Sequence, residues 1–395
     1  MFHRQPPFRA HTSITARENE NMQKKKFWIL VGTRPEVIKQ VPLYRELKKR
    51  HGVDSVKLIG TGQHRELLDQ ALDHFGETLD LNLEIMRPGQ SLADSASAVL
   101  QGMNSLFQKD CPDWLIVQGD TTSAAMAAWA GFLNGVKIAH NEAGLRSYDL
   151  AHPFPEEANR KWISTIADLH FAPTEHARKA LLREGAADGR IAVVGNTGID
   201  ALLWTLALER PGSIDQVLGS FQEKGLKPVL LTAHRRENRA AMDQWFLSLK
   251  NFLRINPDLG LIYPIHPNHL AKAAAEEHLS PLPQVRLLPA LNYGETCHLL
   301  AACQMVVTDS GGIQEEAATL GIPTVICRNT TERQEAVEAG IARLAGTEPD
   351  TILSTMAWAR ALHPRKSASR IQPIFGDGTA AIRISDHLES TIVDQ

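Results

Sequence analysis

The sequence predicts an α/β protein made of two doubly wound domains, each a parallel sheet with helices on both faces. Short, almost continuously apolar runs alternate with amphipathic segments, which is typical of buried parallel strands joined by helices. The alternation stops and then begins again in the second half of the chain. With 395 residues, the chain is also too long for one ordinary core, so two cores are expected.

Eleven segments have the apolar pattern of buried strands. The first series is 27–31, 56–59, 114–117, 136–139, 169–172 and 191–194. The second series is 229–232, 261–265, 285–288, 305–308 and 324–327. Helical periodicity fills most of the segments between them, for example 91–107 and 121–133. In folds of this kind, ligands bind at the carboxyl ends of the strands.

The two domains are expected to join near Gly195-Asn196, after the last strand of the first series. We assign 25–196 to the N-terminal domain and 197–369 to the C-terminal domain. A helical pattern in 370–395 is expected to return and pack on the first domain. Residues 1–24 are polar and have no apolar stretch, so we interpret them as a disordered extension and not as a secretory signal.

Composition excludes several classes of protein. A net charge of -3 does not favour a nucleic acid or an acidic membrane surface as a partner. No apolar run approaches the roughly 20 residues of a membrane span. The four cysteines form no CxxC pair and indicate reduced thiols in a cytoplasmic protein. No cluster of His, Cys and carboxylate residues has metal-ligand spacing, so we expect no metal cofactor.

A glycine-rich turn at the end of one strand is the most informative local feature. Ser310, Gly311 and Gly312 follow an apolar run and begin a predicted helix. Glycines let a ligand approach the backbone, and the helix N-terminus presents free N–H groups to a phosphate. One turn later, Glu316 is placed to accept hydrogen bonds from a ribose. The alternative is a strand-to-helix turn with no ligand.

Basic residues follow the first predicted strand. Arg34 lies in the loop and Lys39 lies in the first turns of the next helix, where Pro35 suits the helix start. Two cations near a helix N-terminus are unfavourable unless an anion joins them. We therefore favour a diphosphate site over the alternative of a solvated basic pair.

Three acidic residues follow strands or loops of the first series, and we expect them at one edge of the sheet. They are Asp120, Glu142 and Glu156. Clustered carboxylates suit acid–base chemistry. Each also has a simpler explanation. Asp120 can cap the next helix, Glu156 can interact with a helix dipole, and Glu142 can be neutralised by Arg146.

His234 and Arg235 follow the first strand of the second series and are expected to face the same ligand as the glycine-rich turn. A histidine here can hold a diphosphate or transfer a proton near neutral pH. An ordinary polar loop is the alternative. His266 has the position of a structural histidine at a strand end.

Eight motifs occur in order along the chain. They are GTRPEVIK (32–39), TGQHRELLDQ (61–70), QGDTTS (118–123), NEAGLRSYD (141–149), PFPEEANR (153–160), TAHRREN (232–238), DSGGIQEEA (309–317) and TTERQEAVEAG (330–340). Together they closely resemble the non-hydrolysing UDP-N-acetylglucosamine 2-epimerases, from about Lys26 to the C-terminus. The resemblance implies the GT-B fold, in which two Rossmann-like domains face each other across a deep cleft.

The resemblance also implies a reaction without metal or nicotinamide. Members of this family interconvert UDP-GlcNAc and UDP-ManNAc by eliminating UDP, which leaves 2-acetamidoglucal, and then adding UDP again after a proton returns to the other face of C2. A role in surface polysaccharide synthesis and a homodimer are expected on the same basis.

The matching motifs assign roles to residues of this chain. The implied catalytic set is Asp120, Glu142, Glu156 and His234. The implied contacts to UDP, with Glu316 on the ribose, are Arg34, Lys39, Arg235, Ser310, Gly311, Gly312 and Glu316. Arg160 is expected to bind phosphate or orient Glu156, and Arg333 to lie in the cleft.

The chain departs from the family pattern at a few positions. Asn141 stands where many members have Val, beside Glu142. Glu66 and Gly89 stand where some bacterial members have Gln and a basic residue, which puts a second, activating UDP-GlcNAc site in doubt. A hydrolysing 2-epimerase, an epimerase of a related UDP-2-acetamido sugar, a GT-B glycosyltransferase and a UDP-sugar-binding regulator are the alternatives.

Overall fold

The computed structural model describes residues 25–62, 65–85, 87, 89–233, 242–265, 269–362 and 373–393. The described residues form two sheets, and every strand pair within them is parallel. The first sheet contains β1 (Phe27–Val31), β2 (Val56–Gly60), β3 (Leu81–Asn82), β4 (Trp114–Gln118), β5 (Lys137–Asn141), β6 (Leu169–Ala172) and β7 (Ile191–Val193). The second contains β8 (Lys227–Thr232), β9 (Leu259–Pro264), β10 (Val285–Leu288), β11 (Met305–Thr308), β12 (Thr324–Ile326) and β13 (Ala342–Leu344).

Helices connect the strands and cover the sheets. Those before the second sheet are α1 (Arg34–His51), α2 (Arg65–Phe75), α3 (Leu92–Phe107), α4 (Thr122–Leu133), α5 (Glu156–Ile166), α6 (Glu175–Arg183), α7 (Thr197–Leu206) and α8 (Gly212–Glu223). The rest are α9 (Met242–Ile255), α10 (His269–His278), α11 (Tyr293–Ala302), α12 (Gly311–Thr319), α13 (Gln334–Glu338), α14 (Pro349–Ala361) and α15 (Ala380–Val393).

The predicted α/β class with two parallel sheets is confirmed, and each predicted strand overlaps an observed one. The prediction missed two edge strands. β3 is at one edge of the first sheet, and β13 is at one edge of the second sheet. β3 has only 2 residues and β13 has 3, with Arg343 exposed at its centre. Runs this short carry no readable periodicity, and their pairing depends on the neighbouring strand.

Alternate residues of β1 enter two different cores, as a strand covered on both faces requires. Phe27 and Ile29 pack in the cluster that includes α1, α7 and α15. Trp28 and Leu30 pack in the cluster formed with α3 and α4. All five residues of β1 are buried, which explains its continuous apolar run.

Strand order determines where ligands can meet the sheets. The first order is β3-β2-β1-β4-β5-β6-β7 and the second is β10-β9-β8-β11-β12-β13. The order therefore reverses direction between β1 and β4 and between β8 and β11. Loops diverge at such switch points and leave a crevice at the carboxyl ends of the strands. The segments after β1, β4 and β11 carry Arg34, Asp120 and Ser310.

Helix α7 packs on both halves of the molecule. It contacts α1 and α15 on one side and α11 and α12 on the other. The apolar cluster of the first sheet likewise continues into the second half through Tyr293, Cys297 and Ala318. The division of the chain at residue 196 stays a prediction, because α7 is shared between the two halves.

The C-terminal helix α15 packs on α1 and α7. Ile384 and Leu388 are buried in the first cluster, and Arg50 of α1 donates to Asp386 over 2.7 Å. The first turn of α15 is held by Asp200 of α7, which accepts N–H bonds from Ala380 at 3.2 Å and Ala381 at 2.8 Å. These donors have no partner within the helix, so Asp200 acts as a cap supplied by another helix.

No helix in the described ranges is both long and apolar enough to cross a membrane.

We predict that Asp200→Ala destabilises the protein because it leaves two buried donors of α15 without an acceptor. Loss of a helix cap costs about 1–2 kcal/mol. Urea unfolding followed by circular dichroism measures the change. Asp386→Ala is the control, because it breaks an exposed ion pair worth roughly 0–1 kcal/mol. An Asp200 variant no less stable than the control would contradict this role.

Candidate active site

The loop after β1 is held by a buried carboxylate. Glu36 accepts hydrogen bonds from the backbone N–H groups of Gly32 at 2.9 Å and Thr33 at 2.7 Å. Its other oxygen accepts from the hydroxyl of Thr121 at 2.8 Å, at the start of α4. Glu36 thus ties the loop carrying Arg34 to the turn after β4. Burial raises the pKa of Glu36, and these hydrogen bonds offset only part of that rise.

Sequence reasoning missed Glu36, although a signal for it was present. Thr33 precedes α1 and Glu36 occupies its third position, which is the spacing of a capping box. That motif predicts the bond from the Thr33 N–H to Glu36. It does not predict the bond from Thr121, which is 85 residues away in the chain.

Glu142 lies just after β5 in the left-handed backbone region, with φ at 60°. Non-glycine residues adopt this conformation rarely, and such positions cluster at functional sites. Its carboxylate is buried and pairs with the ammonium of Lys39. It also accepts from Gln118 at 3.0 Å and Asn196 at 2.7 Å. Burial alone would raise the pKa of Glu142, but the charges of Lys39 and Arg333 lower it overall.

The alternative in which Arg146 neutralises Glu142 is wrong. The Arg146 guanidinium turns away and forms an ion pair with Glu184 at 2.7 Å. It also donates to the hydroxyl of Ser164 at 2.9 Å. The cation that neutralises Glu142 comes instead from α1, 103 residues earlier.

Asp120 does not cap α4, so that alternative is also wrong. The cap is Thr121, whose hydroxyl accepts from the N–H of Ala124 at 3.0 Å. The Asp120 carboxylate instead forms an ion pair with Arg160. The Nη1 nitrogen of Arg160 donates to Glu157 at 2.9 Å. Arg160 therefore pairs with Asp120 and contacts Glu157, the sequence neighbour of Glu156.

Glu156 is the first residue of α5 and is half-buried. Its carboxylate therefore lies where the helix dipole favours a negative charge, as the simpler explanation predicts. The same helix carries Arg160 to Asp120, so α5 brings Glu156 to the same region as the β4 loop.

A neutral histidine supports the turn before Asp120. His140 of β5 has Nε2 at 2.8 Å from the carbonyl oxygen of Gly119. Burial lowers the pKa of His140 to about 3, so its ring is neutral at physiological pH and donates through Nε2. His140 lies one residue beyond the predicted strand 136–139, and its contact with Gly119 depends on the pairing of β4 with β5.

The two glycines of the α12 turn have different roles. A side chain on Gly311 would place its Cβ 2.8 Å from the guanidinium carbon of Arg333, so glycine is needed for Arg333 to pack there. A Cβ on Gly312 would meet nothing within 4 Å. Gly312 therefore borders open space at the helix N-terminus. The N–H of Ser310 is bonded to the Thr308 hydroxyl at 2.9 Å, which fixes the turn.

Glu316 is buried one turn into α12. It accepts a hydrogen bond from the Tyr293 hydroxyl at 3.2 Å. Burial raises the pKa of Glu316 to about 7, and the neighbouring charge of Glu315 contributes. Positive charge from Lys39 and Arg34 opposes that rise.

Charged side chains from both halves of the chain meet between the sheets. Asn196 bridges two carboxylates, donating to Glu142 and to Glu315 over 2.7 Å in each case. Arg333 in turn donates to Glu315 over 2.8 Å. The structure therefore brings the first-sheet site residues Lys39 and Glu142 into one network with Arg333 of the second half.

His234, Arg235 and His266 fall outside the described residues. In the part of the chain that the structure describes, no group of three or more His, Cys, Asp or Glu side chains is arranged to hold a metal ion.

Comparison with known proteins places this arrangement in a family. The family model described as UDP-N-acetylglucosamine 2-epimerase matches residues 45–389. The chain is 41% identical over 370 residues to the UDP-N-acetylglucosamine 2-epimerase of Bacillus subtilis, covering 93% of this chain and 96% of the relative. The chain belongs to the UDP-N-acetylglucosamine 2-epimerase family.

Solved structures of this family confirm the fold. The Neisseria meningitidis UDP-GlcNAc 2-epimerase bound to UDP-GlcNAc superimposes with a TM-score of 0.85 at 34% identity, covering 92% of this chain and 100% of that chain. The Staphylococcus aureus MnaA–UDP co-structure has a TM-score of 0.84 at 35% identity, covering 93% and 97%. The expected GT-B fold, with two Rossmann-like domains, is therefore confirmed.

We predict that Glu316→Gln stabilises the protein more at pH 8 than at pH 5. The pKa of Glu316 rises from an ordinary 4.5 to about 7 on folding. Its contribution to stability is therefore complete below pH 4.5 and is lost as the pH rises through 7. Glutamine cannot ionise, so the variant should gain roughly 2 kcal/mol relative to the parent between these pH values.

Urea unfolding at both pH values measures this difference. The Glu338→Gln variant, at an exposed position, is the control for the substitution itself. If Glu316→Gln changes the unfolding free energy by the same amount at pH 5 and pH 8, the raised pKa of Glu316 is disproved.

Proposed function

We propose that this protein catalyses the reversible C2 epimerisation of UDP-N-acetylglucosamine to UDP-N-acetylmannosamine. One observation carries the proposal. Glu142, at the carboxyl edge of the first sheet, is connected through Asn196, Glu315 and Arg333 to the glycine-rich turn of α12 in the second half. A UDP-sugar lying between these edges would have its nucleotide at the turn and its sugar near Asp120 and Glu142.

Named relatives support the nucleotide part of this proposal. The Neisseria meningitidis protein was solved with UDP-GlcNAc and the Staphylococcus aureus protein with UDP. In this chain, the open backbone at Gly312 and the N-terminus of α12 suit a phosphate. Arg34 and Lys39 at the start of α1 would add positive charge from the facing sheet.

The proposed mechanism needs no water as a reactant and no cofactor. A base removes the C2 proton while the C1–O bond to UDP breaks, and the electron pair forms the C1–C2 double bond of 2-acetamidoglucal. An acid then returns a proton to the opposite face of C2 as UDP adds again to C1. Fixed positive charges and N–H groups stabilise the departing diphosphate.

The residues divide into two groups in this mechanism. Asp120, Glu142, Glu156 and His234 are proposed to handle protons. Arg34, Lys39, Arg235, Ser310, Gly311, Gly312, Glu316 and Arg333 are proposed to bind UDP. For Arg160, the ion pair with Asp120 favours orienting that carboxylate over contacting phosphate directly. Proton handling on both faces of C2 explains why more than one carboxylate is needed.

We further propose that the enzyme works as a homodimer in the cytoplasm and supplies UDP-ManNAc for surface polysaccharide synthesis. These proposals rest on the family resemblance.

The direct test uses UDP-GlcNAc in D2O, followed by NMR. We expect UDP-ManNAc carrying deuterium at C2, because the proton must exchange with solvent during epimerisation. Release of free ManNAc and UDP would support the hydrolysing alternative and disprove this proposal. Unchanged UDP-GlcNAc, with turnover of a UDP-2-acetamido sugar that differs at C3 or C6, would instead reassign the substrate.

Loss of either central carboxylate should abolish most turnover. We expect Asp120→Asn and Glu142→Gln to lower kcat by about 10²–10⁴-fold, the usual contribution of general acid–base catalysis. UDP binding, measured by calorimetry, should survive. Asp113→Asn is the control, because Asp113 precedes β4 and contacts Lys26 at the opposite end of the strand. Turnover near that of the control in either variant would refute its catalytic role.

A further inference from the structure

Asn196, which lies between β7 and α7, has an unusual set of side-chain partners. Both N–H bonds of its amide are used on carboxylates from different halves of the chain, Glu142 and Glu315, each at 2.7 Å. Its amide oxygen accepts from the N–H of Gly198 at 2.9 Å and so caps α7. This last bond fixes the orientation of the amide, because the oxygen cannot face the two carboxylates. Asn196 is 1% exposed, so water does not replace these contacts.

The contacts continue from Glu315 to the glycine-rich turn of α12. Glu315 accepts from Nε of Arg333 at 2.8 Å. The Arg333 guanidinium packs where a side chain on Gly311 would otherwise lie. A single line of direct contacts therefore runs from the N-terminus of α12 through Arg333, Glu315 and Asn196 to Glu142.

Among the residues that the structure describes, three largely buried cations of this cluster face three buried carboxylates. The cations are Lys39, Arg328 and Arg333, and the carboxylates are Glu142, Glu315 and Glu332. Buried charges are tolerated only when they are paired and hydrogen-bonded. The neutral amide group of Asn196 donates one N–H bond to each of two carboxylates and adds no charge to the cluster. Removing or adding one charge in this cluster is therefore expected to change both the position of the Glu142 carboxylate and the binding of UDP by Lys39 and Arg333.

We propose that Asn196 and Glu315 are positioning residues that couple the nucleotide turn of α12 to Glu142, the proposed proton-transfer group of the facing sheet. This inference rests on the proposed function. Asn196 holds the Glu142 carboxylate in place from the start of α7. Glu315 anchors Asn196 and Arg333 together, so that the group that handles the C2 proton and the groups that hold UDP keep one fixed separation.

Asn196→Asp is the decisive substitution. Aspartate is as good a helix cap as asparagine, so α7 keeps its N-cap, but both donors are lost and three carboxylates meet. We expect kcat to fall at least about 100-fold, the effect of misplacing a reacting group by about 1 Å. UDP should bind more weakly, because the added negative charge lies beside the cations of the cluster.

Glu315→Gln provides the second measurement. It removes one negative charge and one acceptor while keeping the side-chain shape. We expect kcat to fall about 10-fold or more, because Asn196 and Arg333 lose their common anchor. In contrast to Asn196→Asp, UDP should bind as tightly as in the parent or more tightly, since the cluster keeps excess positive charge. A purely structural role would not lower kcat in both variants while weakening UDP binding only in Asn196→Asp.

Asn292→Asp is the matched control. Asn292 caps α11 through the same kind of bond, accepting from the N–H of Glu295 at 2.8 Å, and it is exposed. Its variant should keep parental kcat and UDP affinity. Calorimetry with UDP and turnover of UDP-GlcNAc supply the two readouts, and circular dichroism reports folding.

The outcomes separate this inference from the proposed function. Absence of epimerisation by the parent protein would refute the function itself. An active parent with kcat of either variant within threefold of Asn292→Asp would overturn the coupling role. Weaker UDP binding in both variants, with equal loss of thermal stability, would also overturn it in favour of a structural role. If Asn196→Asp does not fold, Glu315→Gln alone decides between these results.

Discussion

A buried cluster of ion pairs between the two sheets is the interaction on which the candidate site depends. Lys39 and Glu142 belong to the first sheet and its helices, whereas Glu315 and Arg333 come from the second half. Ions cost several kcal/mol each to bury, and only close partners offset that cost. The cluster therefore forms only when both halves contribute their members, so it defines one relative placement of the two sheet edges.

Parallel strand topology brings these members together. All strands of a parallel sheet end at the same edge, and the order of both sheets reverses where the loops after β1, β4 and β11 diverge. Glu36 then links the β1 loop to the β4 turn through Thr121. Loops that are far apart in sequence thus form a single surface. The buried carboxylate of Glu36 holds two of these loops together.

Much of the fold was predictable because its signals are local. The buried strands show as short apolar runs, and the carboxyl-edge residues follow those runs directly. The prediction failed where local pattern is weak or ambiguous. β3 and β13 are too short to show a period. Arg146 is near Glu142 in sequence, yet it pairs with Glu184, while Lys39 of α1 pairs with Glu142.

The sequence by itself determined the two-domain α/β class and most of the strands that form the sheets. It also determined which residues follow those strands at the carboxyl edges of the sheets. Its motifs also indicated the family. Only the tertiary structure decided which charged groups pair. Asn196 is 54 residues from Glu142 and 119 from Glu315, and no periodic pattern records contacts at such separations. The need for glycine at Gly311 likewise follows from the position of Arg333. Local patterns reflect backbone conformation and burial, whereas ion pairing depends on which side chains the packed sheets bring within reach.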